Sequence, residues 1–413
     1  MSARDPQAAE LPKTATRSHL PPIARSTRQR RCLNIGLLIP TLQSGGAERV
    51  CSLLANHWAR KGHHVTLMTF ADASSDAFAV STFVQRVVLG NAQLTSGAWN
   101  TLTKNAARIR SVRHRLTASK IDVAVSFMSV SNTCLALAGQ GLRTVCVGTE
   151  RTYPPAVSLP RLAELARWSL YGWLDAVVAQ TDDSGQWLKS HTRAKSVAVI
   201  PNPVELPLLS RMPLLDPAAL RCSGSRMLLA VGRLSAEKNF ERLIRAFLQA
   251  SNTLPSEASP SAWQLAVVGE GPLRFELTKL VEQLGAQSRV LLPGHAGNMG
   301  DWYQAADAFA LTSDFEGYPN GLLEALAHGV PSVACDCLTG PRELIRSDVN
   351  GFLVPVDSHA ELVAALCRVM GDAALRERLA KRANLTLESH AIEGISDRWE
   401  SVFAQAMATR KLA

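Results

Sequence analysis

Apolar runs that end in glycine-rich or polar turns, each followed by residues at helical spacing, recur along this chain and restart once after a proline-rich gap. The first run, residues 32–40, is continuously apolar, as a central parallel strand buried on both faces must be. Gly45 and Gly46 follow, then Val50, Leu53, Leu54 and Trp58 on one helical face. Further runs lie at 62–70, 121–127, 144–150, 176–179 and 197–200. The pattern lapses over a proline-rich stretch to Arg221 and resumes at 227–233, 263–269, 290–294, 307–312, 331–336 and 351–355. Strands alternating with helices require crossover connections. Two such series make an α/β protein of two doubly wound, Rossmann-like domains. The expected divisions are a disordered basic tail over 1–31, a first domain over 32–205, a linker over 206–222, a second domain over 223–390 and a closing helix over 391–413.

The stretch Thr312-Ser-Asp-Phe-Glu316-Gly-Tyr-Pro-Asn320-Gly-Leu-Leu-Glu324 reads as strand end, turn and helix start. A helix that begins near Asn320 turns the free backbone N–H groups of Asn320, Gly321 and Leu322 back toward the loop, where they suit a phosphate. Glu316 and Glu324 flank that end. Ionised carboxylates only accept hydrogen bonds, so they suit sugar hydroxyls. A capped helix with two solvated glutamates is the plainer use of the same pattern. A second loop, Gly232-Arg-Leu-Ser-Ala-Glu-Lys238-Asn239, offers a planar cationic fork at Arg233 and a point charge at Lys238, a pair that suits a diphosphate. An ordinary strand-to-helix turn would look similar. The Gly45-Gly46 loop lets a backbone approach a phosphate, though tight turns use such pairs as often.

The net charge of +9 favours anionic partners. Aromatic residues make up 6% and are not interleaved with basic ones, which argues against nucleic acid. Residues 98–120 place Trp99, Leu102, Ala106, Ile109, Val112 and Leu116 at helical spacing, with positive residues between them. Such a helix either packs on a sheet with its charges solvated or lies on an anionic membrane surface. The eight cysteines are scattered, and Cys335 and Cys337 have no second pair to complete a zinc site. With no long apolar run and no secretory leader, the expectation is a reduced protein of the cytoplasm or of the cytoplasmic face of the inner membrane.

The string from Glu316 to Glu324, with Gly340-Pro-Arg-Glu343 after it, resembles the glutamate, seven residues, glutamate signature of retaining GT-B glycosyltransferases of the group 1 family, and in particular those that build bacterial surface polysaccharides and glycolipids. Gly45-Gly-Ala-Glu-Arg-Val50 and the Arg233 to Asn239 loop are similar to other loops of that family. The resemblance implies a GT-B fold, with an acceptor-binding first domain, a nucleotide-sugar-binding second domain and the last helix packed back on the first. It implies transfer of a hexose or N-acetylhexosamine, with UDP as the nucleotide, to a lipid-linked oligosaccharide or a lipopolysaccharide or capsule precursor. Arg233 and Lys238 would neutralise the leaving diphosphate, aided by Gly45, Gly46 and Gly232. Glu316 would hold donor-sugar hydroxyls, Glu324 the ribose, and His295 with its neighbours the base. No Asp-x-Asp motif occurs, so neither a divalent metal nor another cofactor is expected. The chain departs from the pattern at Met128-Ser-Val-Ser-Asn132, where many relatives carry a histidine. Glu150 and Arg151 resemble a pair seen in one subgroup; a structural salt bridge is their plainer use. A GDP-mannose-dependent mannosyltransferase, a 2-epimerase on the same fold and a degenerate membrane-associated scaffold subunit are the alternatives.

Overall fold

The computed structural model describes residues 31–43, 45–90, 98–254, 263–383 and 385–412. The expected tail falls outside them apart from Arg31. The first sheet contains β1 (Asn34–Ile39), β2 (His64–Thr69), β3 (Val84–Val88), β4 (Val123–Phe127), β5 (Val145–Thr149), β6 (Ala176–Ala179) and β7 (Val197–Val199). All its pairs are parallel, in the order β3-β2-β1-β4-β5-β6-β7. The second contains β8 (Arg226–Val231), β9 (Trp263–Val268), β10 (Val290–Gly294), β11 (Ala308–Leu311), β12 (Ser332–Cys335) and β13 (Gly351–Val354). It is also parallel, in the order β10-β9-β8-β11-β12-β13. Strand order reverses between β1 and β4 and again between β8 and β11. Open parallel sheets bind ligands outside the carboxyl ends of the strands at such reversals.

Successive strand residues point to opposite faces, so each sheet builds two cores. In β1, Ile35, Leu37 and Ile39 pack with the helix Gly46–Arg60 and the last helix, Ile392–Leu412, while Leu38 packs with the helices Ala98–Ala118 and Ser129–Ala138. In β8, Leu228 and Ala230 meet the helix Phe240–Thr253, while Met227 and Leu229 meet the helix Asn320–Ala327. The last helix lies against the first sheet: Trp58 and Trp399 sit edge to face with centroids 6.2 Å apart, and Trp58 Nε1 donates to Ser396 Oγ at 3.1 Å. The chain crosses between the halves twice, and the crossings touch. Val204 forms a parallel bridge with Ala391, and its N–H donates to the His390 carbonyl at 2.8 Å.

Some details differ from the sequence reading. Leu206, Leu208 and Leu215 pack against the core of the second half, so much of 206–222 is attached chain. The strand β3 was not expected. His63, just ahead of β2, is buried and accepts from Leu33 N–H at 3.2 Å. The basic helix Ala98–Ala118 packs on the sheet: Val112 and Leu116 are buried, while Arg110, Arg113 and His114 face solvent. The side chains of Trp99 and Leu102 lie outside what the structure describes. Among the described residues, no helix is long and apolar enough to cross a membrane.

Candidate active site

The carboxyl ends of β8 and β11 bring Lys238 and Glu316 together. Lys238 Nζ lies 2.6 Å from Glu316 Oε1, which also accepts from Ser313 Oγ at 2.6 Å. The two loops are laced to each other. Asp314 N–H donates to the Glu237 carbonyl at 2.8 Å, Thr312 Oγ1 to the Lys238 carbonyl at 3.0 Å, and Asn239 Nδ2 to Asp314 Oδ1 at 3.0 Å. Asn239 is left-handed, at φ 50° and ψ 44°, and starts the helix Phe240–Thr253. Asparagine tolerates that conformation better than most residues, and the kink there turns Lys238 toward Glu316. Glycine at 269 and 271 lets the loop after β9 close on Gly232 and Leu234: a Cβ at 269 would lie 1.9 Å from the Gly232 carbonyl oxygen.

Arg233 turns elsewhere. Its side chain is exposed and donates to Glu237 Oε1 at 3.0 Å. Partial burial works against the Glu237 charge, but hydrogen bonds from Ser235 and Arg233 outweigh it and hold the carboxyl below its usual range. His295 is exposed just past β10, at a pKa lowered by partial desolvation and by the Arg211 charge.

The helix Asn320–Ala327 starts at the same cleft. Its first intrahelical bond runs from Leu323 N–H to the Pro319 carbonyl at 3.0 Å, so the N–H groups of Asn320, Gly321 and Leu322 precede the bonded part. Asn320 links the halves: its Nδ2 donates to the Gly46 carbonyl at 3.1 Å, and its Oδ1 accepts from Asn202 Nδ2 at 2.6 Å. Asn202 in turn accepts from Arg151 at 2.6 Å and from Gln180 at 2.7 Å. Glu324, one turn along, is buried and reaches across to the first half. Arg49 Nε lies 2.8 Å from its Oε1, and Tyr303 Oη donates to Oε2 at 3.0 Å. Burial pushes the Glu324 carboxyl up, and Arg49, Tyr303 and Arg211 offset part of that rise. Arg49 therefore pairs with this carboxylate, and the Arg211 charge also acts on it.

Glu150 and Arg151 do not pair with each other. Glu150 is buried and accepts from Tyr171 Oη and from Ser129 Oγ, the latter at 2.9 Å. Arg151 lies over the Phe127 ring at 5.4 Å, and its burial lowers its pKa to about 10. Met128 follows β4 and caps the helix Ser129–Ala138 with φ 73° and ψ 154°, a conformation that nearly always belongs to glycine. Cys335 and Cys337 are buried thiols raised by desolvation to about 11 and about 12. The sequence reading missed the partners: Arg49 and Tyr303 on Glu324, Glu237 on Arg233 and Asn202 on Asn320. Arg49 and Glu237 stood in marked motifs, the string after Gly45 and the loop after Gly232, but nothing in those strings names their partners.

Two parallel α/β halves with facing loops of this kind define a GT-B architecture. The chain belongs to the GT-B glycosyltransferases: residues 44–207 match the family described as Glycosyltransferase Family 4, and residues 216–386 match Glycosyl transferases group 1. An exopolysaccharide phosphotransferase from Streptomyces coelicolor is 32% identical over 57% of this chain, which spans only 24% of that relative's length. An α-1,4-N-acetyl-D-galactosaminyltransferase from Campylobacter jejuni, named for an undecaprenol-diphosphate-linked acceptor, is 25% identical over 90% of this chain and 99% of its own. The crystal structure of HepE from Anabaena, in complex with UDP and glucose, superimposes with a TM-score of 0.73 at 20% identity, covering 90% of this chain and all of that one. Family membership makes the chain a transferase of sugars, with relatives in bacterial polysaccharide and lipid-linked glycan synthesis.

Proposed function

We propose that the chain is a retaining glycosyltransferase that moves a hexose or N-acetylhexosamine from a UDP-sugar to a lipid-linked oligosaccharide or a lipopolysaccharide or capsule precursor. The observation that carries this reading is the Lys238–Glu316 pair, 2.6 Å apart at the strand reversal of the second sheet. In the proposed complex, Lys238 and Arg233 meet the diphosphate. The N–H groups of Gly46 and of Asn320, Gly321 and Leu322 add partial positive charge, with Gly45 and Gly232 admitting the phosphates. Glu316 then holds donor-sugar hydroxyls near positions 3 and 4, and Glu324 the ribose. The backbone around His295 borders the base.

The bond from the anomeric carbon to the phosphate oxygen breaks as the acceptor oxygen bonds to the same face of that carbon. The acceptor proton passes to the departing phosphate oxygen. Charge develops on that phosphate, and fixed cations are worth most there. In the complex Arg233 leaves Glu237 for the diphosphate, and ribose hydroxyls share Glu324 with Tyr303. Supporting the choice of UDP are the nucleotide of the Anabaena neighbour and the N-acetylgalactosaminyl transfer named for the Campylobacter relative. The acceptor reading places the protein at the cytoplasmic face of the membrane. We propose that no divalent metal takes part, since lysine and arginine supply the cations.

The test is thermal denaturation with UDP, GDP, ADP and their sugars, each with and without a chelator. A ligand held at 100 times its dissociation constant stabilises the native state by about 2.7 kcal/mol. Stabilisation by UDP that survives chelation is the expected result. Stabilisation by GDP alone would move the reading to a mannosyltransferase, and no response to any nucleotide would favour a scaffold.

A further inference from the structure

The loop 312–319 that carries Glu316 is fixed by its near neighbours at Glu316 and Gly317. Lys238 and Ser313 hold the Glu316 carboxylate, Thr339 Oγ1 donates to the Glu316 carbonyl, and Gly317 lies on the backbone of Arg151 and Thr152. A further hold comes from far along the chain. Tyr318 and His390 are both buried, and Tyr318 Oη lies 2.6 Å from His390 Nε2, across 72 residues of sequence. Buried tyrosines pair their hydroxyls. The partner here is the last residue of the helix Leu385–His390, where the chain crosses back to the first half. The His390 carbonyl accepts from Val204 N–H at 2.8 Å, beside the bridge between Val204 and Ala391. One residue thus has its backbone in the crossing and its ring on the loop between the two glutamates.

The direction of the bond follows from the other ring nitrogen. Nδ1 lies 3.0 Å from the Thr386 carbonyl, which can only accept, and 2.8 Å from Ser389 Oγ. Ser389 Oγ donates to the same carbonyl at 3.1 Å, which leaves its lone pairs facing Nδ1. Nδ1 therefore carries the proton, Nε2 of the neutral ring is an acceptor, and Tyr318 donates. Burial lowers the pKa of the His390 ring; the Thr386 bond opposes this and the Arg398 charge adds to it. Burial raises the Tyr318 phenol. At neutral pH both groups keep the forms that the bond requires.

We propose that His390 is a positioning residue for the transferase site, setting the loop 312–319, and Glu316 on it, through the bond from Tyr318. A side chain needed only to fill the core would be served by a phenyl ring. The hydroxyl adds a tie, so the place of Glu316 depends on where the second crossing lies. The same loop runs into the helix start at Asn320, so the tie also bears on the N–H groups there. The proposal rests on the transferase reading for the use made of Glu316, while the tie itself can be measured without it.

The test is hydrogen exchange of the full chain near neutral pH, read by mass spectrometry in peptides covering 312–319. In Tyr318→Phe and in His390→Phe, exchange there should rise about fivefold, the scale of one net hydrogen bond. The double variant Tyr318→Phe, His390→Phe should rise no further than either single one, because all three lose the same bond. His390→Gln brings an amide oxygen near the place of Nε2 and should stay within about twofold of wild type, since the acceptor is kept. Unchanged exchange over 312–319 in both single variants would overturn the proposal. A rise spread over the whole second half that glutamine does not correct would also overturn it, since that is the mark of a purely structural role. Should His390→Phe fail to fold, Tyr318→Phe and His390→Gln decide. Thermal denaturation with UDP separates the tie from the transferase reading. Stabilisation of wild type should weaken in Tyr318→Phe and His390→Phe and return in His390→Gln; equal stabilisation of all four would overturn the positioning role. Absence of any response in wild type counts against the transferase reading, and exchange alone then decides the tie.

Discussion

At the scale of single residues, the two glutamates that the sequence marks as alike sit in unlike surroundings. Glu316 has a lysine and a hydroxyl on one oxygen at the mouth of the cleft, while Glu324 is buried against an arginine from the other half. Glu316→Gln keeps the shape and removes the charge, so its effect should fall on turnover. Steady-state kinetics are expected to show a loss of kcat of about 100-fold or more, the scale of removing one preorganised group at a reacting centre. Turnover near the wild-type value would end the assignment of Glu316. Arg49→Met should instead fall on stability. Removing one partner strands the buried carboxylate, which costs about 3–5 kcal/mol where both partners are buried. Arg49 is partly exposed, so about 2 kcal/mol is expected. The sign with pH follows from the raised Glu324 pKa. The folded state holds that proton more tightly than the unfolded one, so the cost exists while the group is ionised and fades as pH falls through the folded pKa toward the unfolded value. Urea titrations at neutral pH and near pH 4 should show the deficit shrinking at the lower pH; a deficit independent of pH would contradict the pairing.

The elements are where the sequence was read most easily and also where its reading stopped. β1, β4 and β8 announce themselves because a strand between two neighbours, covered on both faces, must be apolar throughout. β3 sits at the sheet edge and reads Val-Gln-Arg-Val-Val, so the same rule hides it. The loops after β8 and β11 were legible as motifs, but their lacing through Thr312, Asp314 and Asn239 joins backbone to side chain over more than 70 residues. The Arg49–Glu324 contact spans the two halves and has no local signature at all. The turn after Glu316 offers a test at this scale. A Cβ on Gly317 would lie 2.4 Å from the Arg151 carbonyl oxygen and 2.8 Å from the Thr152 Cα, both backbone atoms that cannot swing aside. Gly317→Ala should therefore push the loop away from the first half. The expected cost is about 1–3 kcal/mol in chemical denaturation, the range for overpacking, together with a raised KM for the donor.

Over the whole molecule, the last helix makes the first half depend on the far end of the chain. Lys61 pairs with Asp397 at 3.0 Å and with Glu400, and Ser396 and His63 add to the same cluster. Burial alone would raise the Glu400 carboxyl, but hydrogen bonds from His63 and Lys61, the Lys61 charge and Ser396 bring it down to about 2. A depressed carboxyl contributes stability above its unfolded pKa near 4.5 and loses it as pH falls toward 2. Acid titration followed by tryptophan fluorescence should show Trp58 and Trp399 losing their shared environment over that window. In Glu400→Gln that step should be gone, and its persistence there would place the acid sensitivity elsewhere. The adjacent crossings at Val204 and Ala391 carry a mechanical meaning. Two rigid bodies joined by a single tether can tumble about any direction, but joined by two segments bonded side by side they keep one easy rotation, about the line through the pair. Any relative motion of the halves is then confined to that one coordinate, like a cover on a spine, and a mutation that stiffens the spine should slow it.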